Sequence, residues 1–205
     1  MLRALFRPAV PLTLLSLTLS LTLAPAATAA TCGDSAVGFQ DWKQDFASYA
    51  RKKGVKQRGL AALAGAQYAS RTIAADRNQK SFRYSLEKFM QLRGSATIVA
   101  QGRKRKARNP QFYAALEKKY GVPAGVLIAI HGMETAFGHF MGDSQVVSAI
   151  VTLTYDCRRS DFFRSHAIGA LKLVDQGAIT PATLGAKHGE LGHTQFLPGK
   201  ALTYG

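Results

Sequence analysis

Four glycines, Gly54, Gly94, Gly121 and Gly177, each close a stretch whose apolar residues recur at helical spacing. A glycine just past the last periodic residue is a helix stop, because it enters the left-handed region without a side-chain clash. Arg51-Lys52-Lys53 precede the first of these stops and Arg93 the second, which suits the negative end of a helix. Before them, Trp42, Phe46 and Tyr49 fall at i, i+4 and i+7. Leu60 and Leu63 predict a second short helix, and Leu86, Phe89 and Met90 a third. Asn109-Pro110 reads as an N-cap followed by proline in the first turn, opening a helix that runs to Tyr120. Pro123 starts the next, with Val126, Leu127 and Ile130 expected to face inward. Ser160 is expected to cap a long segment bearing Phe163, Ile168, Leu171 and Val174, and Thr180-Pro181 to open another helix. No run alternates apolar and polar residues long enough to predict a strand, so the expected class is mainly α.

The first thirty residues read as a secretory signal. Arg3 and Arg7 form a basic start, Leu12 to Leu23 is apolar, and Ala27-Thr28-Ala29-Ala30 supplies small residues for cleavage near Ala29-Ala30. Pro11 and Pro25 interrupt a run already short for a membrane span, which argues against a retained anchor. Thr31 precedes Cys32 and no Leu stands three positions before it, which argues against a lipoprotein. Export changes the meaning of the charge. The chain holds 27 Lys and Arg against 12 Asp and Glu, formally +15, and losing the two arginines of the signal leaves +13. Outside the cytoplasm that balance points to an anionic envelope polymer and away from nucleic acid. The densest cluster, Arg103-Lys104-Arg105-Lys106, reads either as a solvated helix end or as an electrostatic footing on such a polymer, and sits before a possible handover to a second unit at Asn109. Oxidising conditions let Cys32 and Cys157 pair; two buried free thiols are the alternative.

Among the acids Glu134 stands apart, because it ends the apolar segment Val126–Met133. A carboxylate carried by a buried helix should be desolvated and its pKa raised, as a general acid requires. A carboxylate satisfied by a buried Arg or a helix end is the competing reading. The five histidines form no HExxH pattern and no cysteine lies near them at zinc spacing, so neither a metal nor another cofactor is expected. Gly132, Gly138 and Gly142 make no phosphate-binding fingerprint, and Gly189-Glu-Leu-Gly192 reads as a tight turn.

Tyr120-Gly-Val-Pro123, then Ile128-Ala-Ile-His-Gly-Met-Glu-Thr-Ala-Phe-Gly138, resemble the lytic murein transglycosylases of the membrane-bound B type. Leu153-Thr-Tyr-Asp-Cys-Arg-Arg159 with Phe162-Phe163, and Gly189-Glu-Leu-Gly-His-Thr-Gln-Phe-Leu-Pro198, continue the resemblance in family order. Asp76-Arg-Asn-Gln79 with Phe82 resembles its upstream segment. The resemblance implies a lysozyme-like transglycosylase fold: a signal over residues 1–30, an N-terminal helical region over 31–108, and the N-terminal part of the catalytic domain over 109–205. It implies cleavage of the MurNAc-GlcNAc β-1,4 bond of peptidoglycan with formation of 1,6-anhydro-MurNAc, by a monomeric periplasmic enzyme with no cofactor. Glu134 matches the family's single general acid/base. Arg158 and Arg159 match an arginine pair beside the glycan and its peptide stem, with an ordinary ion pair as the alternative. Gln195 matches a residue lining the cleft, and Cys32 and Cys157 resemble the pair found in one branch.

The chain also departs from the family. His131 stands where a bulky residue such as Trp is usual, and His193 replaces a Gln or Tyr. Gly199-Lys200 replaces a Ser pair. Ala186 replaces a Ser that helps position the catalytic acid. Family members also continue for on the order of a hundred residues beyond the position of Gly205, so the fold is expected to be incomplete at the C-terminus. These departures keep a second function class open, a catalytically weak or inactive peptidoglycan-binding protein. An anionic-membrane binder would rest on charge alone.

Overall fold

The computed structural model describes residues 31–78 and 83–205. The signal expected over residues 1–30, and Gln79 and Phe82 of the upstream motif, lie outside the described residues. The chain forms helices α1 (Phe39–Lys52), α2 (Gln57–Gly65), α3 (Ser70–Arg77), α4 (Leu86–Leu92) and α5 (Ser95–Arg108). After them come α6 (Pro110–Tyr120), α7 (Ala124–Thr135), α8 (Val146–Tyr155), α9 (Ser160–Gln176) and α10 (Pro198–Tyr204). The mainly α expectation therefore holds. Each of the four predicted glycine stops has left-handed backbone, with φ of 83° at Gly54, 65° at Gly94, 67° at Gly121 and 77° at Gly177. No helix among the described residues is long and apolar enough to cross a membrane.

Helix α8 is the centre of the fold, and all ten of its residues are buried. It therefore needs no polar face, and its hydroxyls satisfy backbone groups of its neighbours. Thr152 Oγ1 accepts from Ala69 N at 2.9 Å and Ser148 Oγ from Gln67 N at 3.2 Å, while the Tyr155 hydroxyl donates to the Val37 carbonyl. Helices α1, α2, α3 and α9 pack around α8. Trp42 stacks on Phe46 with ring centroids 4.7 Å apart, the helical stripe read from the sequence. This core joins residues 39–73 to residues 146–179 and so runs across the expected handover at Asn109, which lies between α5 and α6. Helices α4 to α7 pack on one another, with α5 laid against α7. Cys32 and Cys157 form a disulfide, the pairing favoured by export, and it fastens the start of the described chain to the turn between α8 and α9.

Two short strands occur where none was predicted. β1 (Ser144–Gln145) pairs antiparallel with β2 (Leu184–Gly185), Ser144 opposite Gly185. Gly142 leads into this pair with φ of 95°, and a Cβ there would overlap the Gly185 carbonyl, so the strands close only around glycine.

Three other elements depart from expectation. Helix α7 buries Ala124, Ile128, Gly132 and Thr135, whereas Val126 and Ile130 are exposed. It is apolar almost all round, so periodicity cannot choose its inner face. Small residues choose it: a Cβ at Gly132 would strike Ile98 of α5, and one at Gly102 of α5 would strike Ile128. Ser160 is the first residue of α9, not its cap, and its hydroxyl donates to the Thr154 carbonyl at 2.6 Å. Thr180-Pro181 opens no helix. Thr183 N donates to the Thr180 carbonyl at 3.0 Å and Thr180 N to Thr183 Oγ1 at 2.9 Å, and these two bonds close a turn that feeds β2.

Candidate active site

Helix α7 ends abruptly. Ala136, Phe137 and Gly138 follow one another at φ of 46°, 63° and 93°, so the chain doubles back directly after Glu134-Thr135. Successive left-handed residues that are not glycine cost of order 1–3 kcal/mol each and persist only where surrounding contacts hold them. Thr135 supplies such contacts. Fully buried, its hydroxyl donates to the His193 carbonyl at 2.8 Å and accepts from Gly138 N at 3.0 Å. His131 Nε2 lies 2.8 Å from His193 Nδ1, a second tie between α7 and the same turn. The tight turn expected over Gly189–Gly192 instead spans residues 192–195: Leu191 and Phe196 exchange backbone hydrogen bonds of 2.9 and 3.0 Å on either side of it. Gln195, strained at φ of 51°, donates its amide to the Gly192 carbonyl at 2.9 Å.

These ties bring two of the predicted residues together. Glu134 and Gln195 line one open cavity of about 560 Å³, together with Arg93, His188, Glu190 and Lys200. Glu134 also lines a neighbouring cavity of about 460 Å³ against α4 and α5. The expected shelter of Glu134 is overturned, because the residue is exposed. It follows Val126 and Ile130 at four-residue steps on the outer face of α7, two residues from buried Gly132 and so on the far side of the helix. Among the described acids it is Asp76 and Asp156 that are buried, at 5% and 4% exposure.

Arg158 and Arg159 do not line the cavity of Glu134. They line another, of about 400 Å³, beside the Cys32–Cys157 bridge. Both grip Asp76 of α3: Arg159 Nη1 reaches Asp76 Oδ1 at 3.0 Å, and Arg158 Nη2 contacts Asp76 Oδ2. The Arg159 guanidinium also lies 4.8 Å from the Phe163 ring centroid. His188 links the two cavities, with Nε2 3.7 Å from Asp76 Oδ1 and Nδ1 3.8 Å from Glu190 Oε1. Asp76→Ala would leave the Arg158 and Arg159 guanidinium groups facing one another. We expect a loss of about 3 kcal/mol, at the low end for a broken buried pair because the arginines keep contact with water. A shifted denaturant midpoint with unchanged slope checks this.

Two histidines are held below their ordinary pKa. Burial lowers His131 first, then its neighbours His193 and Arg105. Burial lowers His166 first, then Lys200. Folded-state values below the unfolded value near 6.5 mean that the unfolded chain takes up protons first. The stability these residues contribute is complete above about pH 6.5 and is lost as pH falls through the depressed folded values. A ring-proton NMR titration should show both turning over below an ordinary histidine, with the melting temperature falling over the same range.

Arg93, His188, Glu190 and Lys200 were not singled out for the site by the sequence. Arg93 reaches it by donating its guanidinium to the Met133 carbonyl, next to Glu134. Only the Gly189-to-Pro198 motif carried a signal, and it marked Gln195.

Residues 38–205 match the family described as Transglycosylase SLT domain. The chain is 31% identical over 87 residues to membrane-bound lytic murein transglycosylase B of Escherichia coli (strain K12), covering 42% of this chain and 24% of that protein. Among solved structures it resembles SltB3 of Pseudomonas aeruginosa in complex with NAG-NAM-pentapeptide, with a TM-score of 0.73, 30% identity, and coverage of 81% of this chain and 45% of that one. It also resembles the soluble lytic transglycosylase SltB1 of the same organism, with a TM-score of 0.67, 26% identity, and coverage of 79% and 56%. The chain thus spans about a quarter of the curated relative's length and about half that of the solved structures.

Proposed function

Because the chain belongs to the Transglycosylase SLT domain family, we propose that it is a periplasmic peptidoglycan lytic transglycosylase, exported by a signal cleaved near Ala29-Ala30. It acts as a monomer on glycan strands, cleaving the MurNAc-GlcNAc β-1,4 bond and leaving 1,6-anhydro-MurNAc. Glu134 is its single general acid/base. The observation that carries this reading is the shared cavity of Glu134 and Gln195, held by Thr135 and the His131–His193 contact.

The first step needs Glu134 as a protonated carboxyl beside a strand laid in the groove. Glu134 then gives its proton to the glycosidic oxygen as the C1–O bond breaks. As carboxylate it takes the proton from the muramic C6 hydroxyl, whose oxygen closes on C1. The substrate supplies its own nucleophile, so one carboxylate suffices where ordinary glycosidases use two. Gln195 offers an amide to sugar hydroxyls or N-acetyl groups. Arg158 and Arg159, half-exposed beside their own cavity, suit carboxylates of the peptide stem.

Peptidoglycan incubated with the purified protein should release muropeptides one water lighter than their hydrolysed counterparts. A second reading, a binding protein with little or no turnover, is favoured by Ala186, which lines the groove with no hydroxyl to orient Glu134. Sedimentation with peptidoglycan without released product would select it.

A further inference from the structure

The tie between α7 and the turn at residues 192–195 rests on two groups that titrate. His131 Nε2 and His193 Nδ1 lie 2.8 Å apart, with ring centroids 5.0 Å apart. A neutral imidazole has one donor and one acceptor, so the contact holds with both rings neutral. It also holds with one ring protonated, because the imidazolium donates to its neutral neighbour. A second proton leaves two donors and two positive charges face to face. His193 has no room to yield toward the left-handed end of α7, where a Cβ at Gly138 would lie 2.4 Å from its Cε1. His131 meets the Phe137 ring edge to face at 5.2 Å, and the Arg105 guanidinium lies 4.5 Å from that same ring. Of the other charged groups on the elements around the pair, Arg93 and Lys200 are cations and His139 and His188 can become so. Glu134 and Glu190 are the acids, and neither pairs with either ring; among the described residues, the histidine that meets carboxylates is His188. Burial, His193 and Arg105, in that order, oppose a proton on His131.

We propose that His131 and His193 are positioning residues for the transglycosylase site, and that their shared hydrogen bond is a latch that acid opens. The inference rests on the transglycosylase reading, since the latch sets where Gln195 stands against Glu134. Closed, it holds the turn to the end of α7 and keeps Gln195 in its strained backbone, at φ of 51°. Opened, the turn keeps the Thr135 bond to the His193 carbonyl but loses the side-chain half of the tie, and Gln195 relaxes away from Glu134. The first chemical step needs Glu134 protonated, so Glu134 itself loses activity as pH rises. A loss as pH falls belongs to the latch.

The test is the rate of anhydro-end release from purified peptidoglycan between about pH 7 and about pH 4.5, a range that spans histidine titration. Wild type should slow by roughly 10- to 100-fold toward acid, the size of a misplaced group at a reacting centre. His193→Ala should be slow at both ends of the range. His193→Gln, whose amide still meets His131 and takes no proton, should recover most of the rate lost in His193→Ala and hold it into acid. Melting curves at each pH report whether each protein is folded. NMR of nitrogen-labelled protein reads the latch without any turnover: the coupling across the N–H···N bond should vanish in acid as the Gln195 amide shifts. An acid loss of equal size in folded His193→Gln, or a Gln195 amide unmoved when the coupling vanishes, would overturn the latch and leave the transglycosylase reading standing. No release by wild type at any pH would overturn that reading and the positioning role with it, while the NMR still decides whether acid opens the turn.

Discussion

Glu134→Gln is expected to abolish release of anhydro-muropeptides while leaving the protein folded and able to sediment with peptidoglycan. Glutamine keeps the volume and hydrogen-bonding shape of the side chain but has no proton to lend. Loss of a general acid costs roughly 10²–10⁴ in rate, about 3–5 kcal/mol of barrier, and one group serving as both acid and base puts the expected effect at the upper end. The exposure of Glu134 makes the experiment clean. A substitution on an exposed helix face usually moves stability by no more than about 0.5 kcal/mol, so lost turnover cannot be charged to unfolding. Neither Thr135 nor His131, which hold the adjoining turn, is touched. Equal anhydro release by wild type and Glu134→Gln would remove Glu134 from the chemistry. Equal sedimentation with no release from either would establish the binding reading.

Local chemistry was legible in the sequence, and tertiary facing was not. The four glycine stops hold because a left-handed residue at a helix end is a property of the chain itself. The disulfide was favoured because export limits what two cysteines do. The inner face of α7 was hidden because Val126, Leu127, Ile128 and Ile130 are alike in hydrophobicity; only the partner surface, with Gly102 facing Ile128, distinguishes them. The same misreading placed Glu134 inside, since the face of a helix decides the burial of every residue on it. Arg93 and Glu190 lie 41 residues before and 56 after Glu134, and nothing in their own surroundings announces that they meet. Gln195 was picked out by a motif, and its left-handed backbone, which non-glycine residues rarely adopt, was not legible from its own surroundings.

Reduction of the Cys32–Cys157 bridge is expected to be the largest single loss of stability. The bridge joins residues 125 positions apart, and in the chain-entropy view closing so long a loop stabilises by about 4–5 kcal/mol. For a chain of this length that is a fall in melting temperature of about 10–20 °C. Contacts that outlast the bridge set how much of this appears: Gly33 N donates to the Tyr155 carbonyl at 3.0 Å, Cys157 N to the Gly33 carbonyl at 3.1 Å, and the Tyr155 hydroxyl to Val37. These bonds keep the N-terminal segment beside α8 in the native state, so reduction acts mainly by loosening the unfolded chain, and Cys32→Ser should match it. The bridge also adjoins Arg158, whose side chain holds Asp76 across the fold. Paired melts with and without reductant, with thiol titration on each sample, check the prediction. Two reactive thiols in untreated exported protein, or equal melting temperatures, would contradict it.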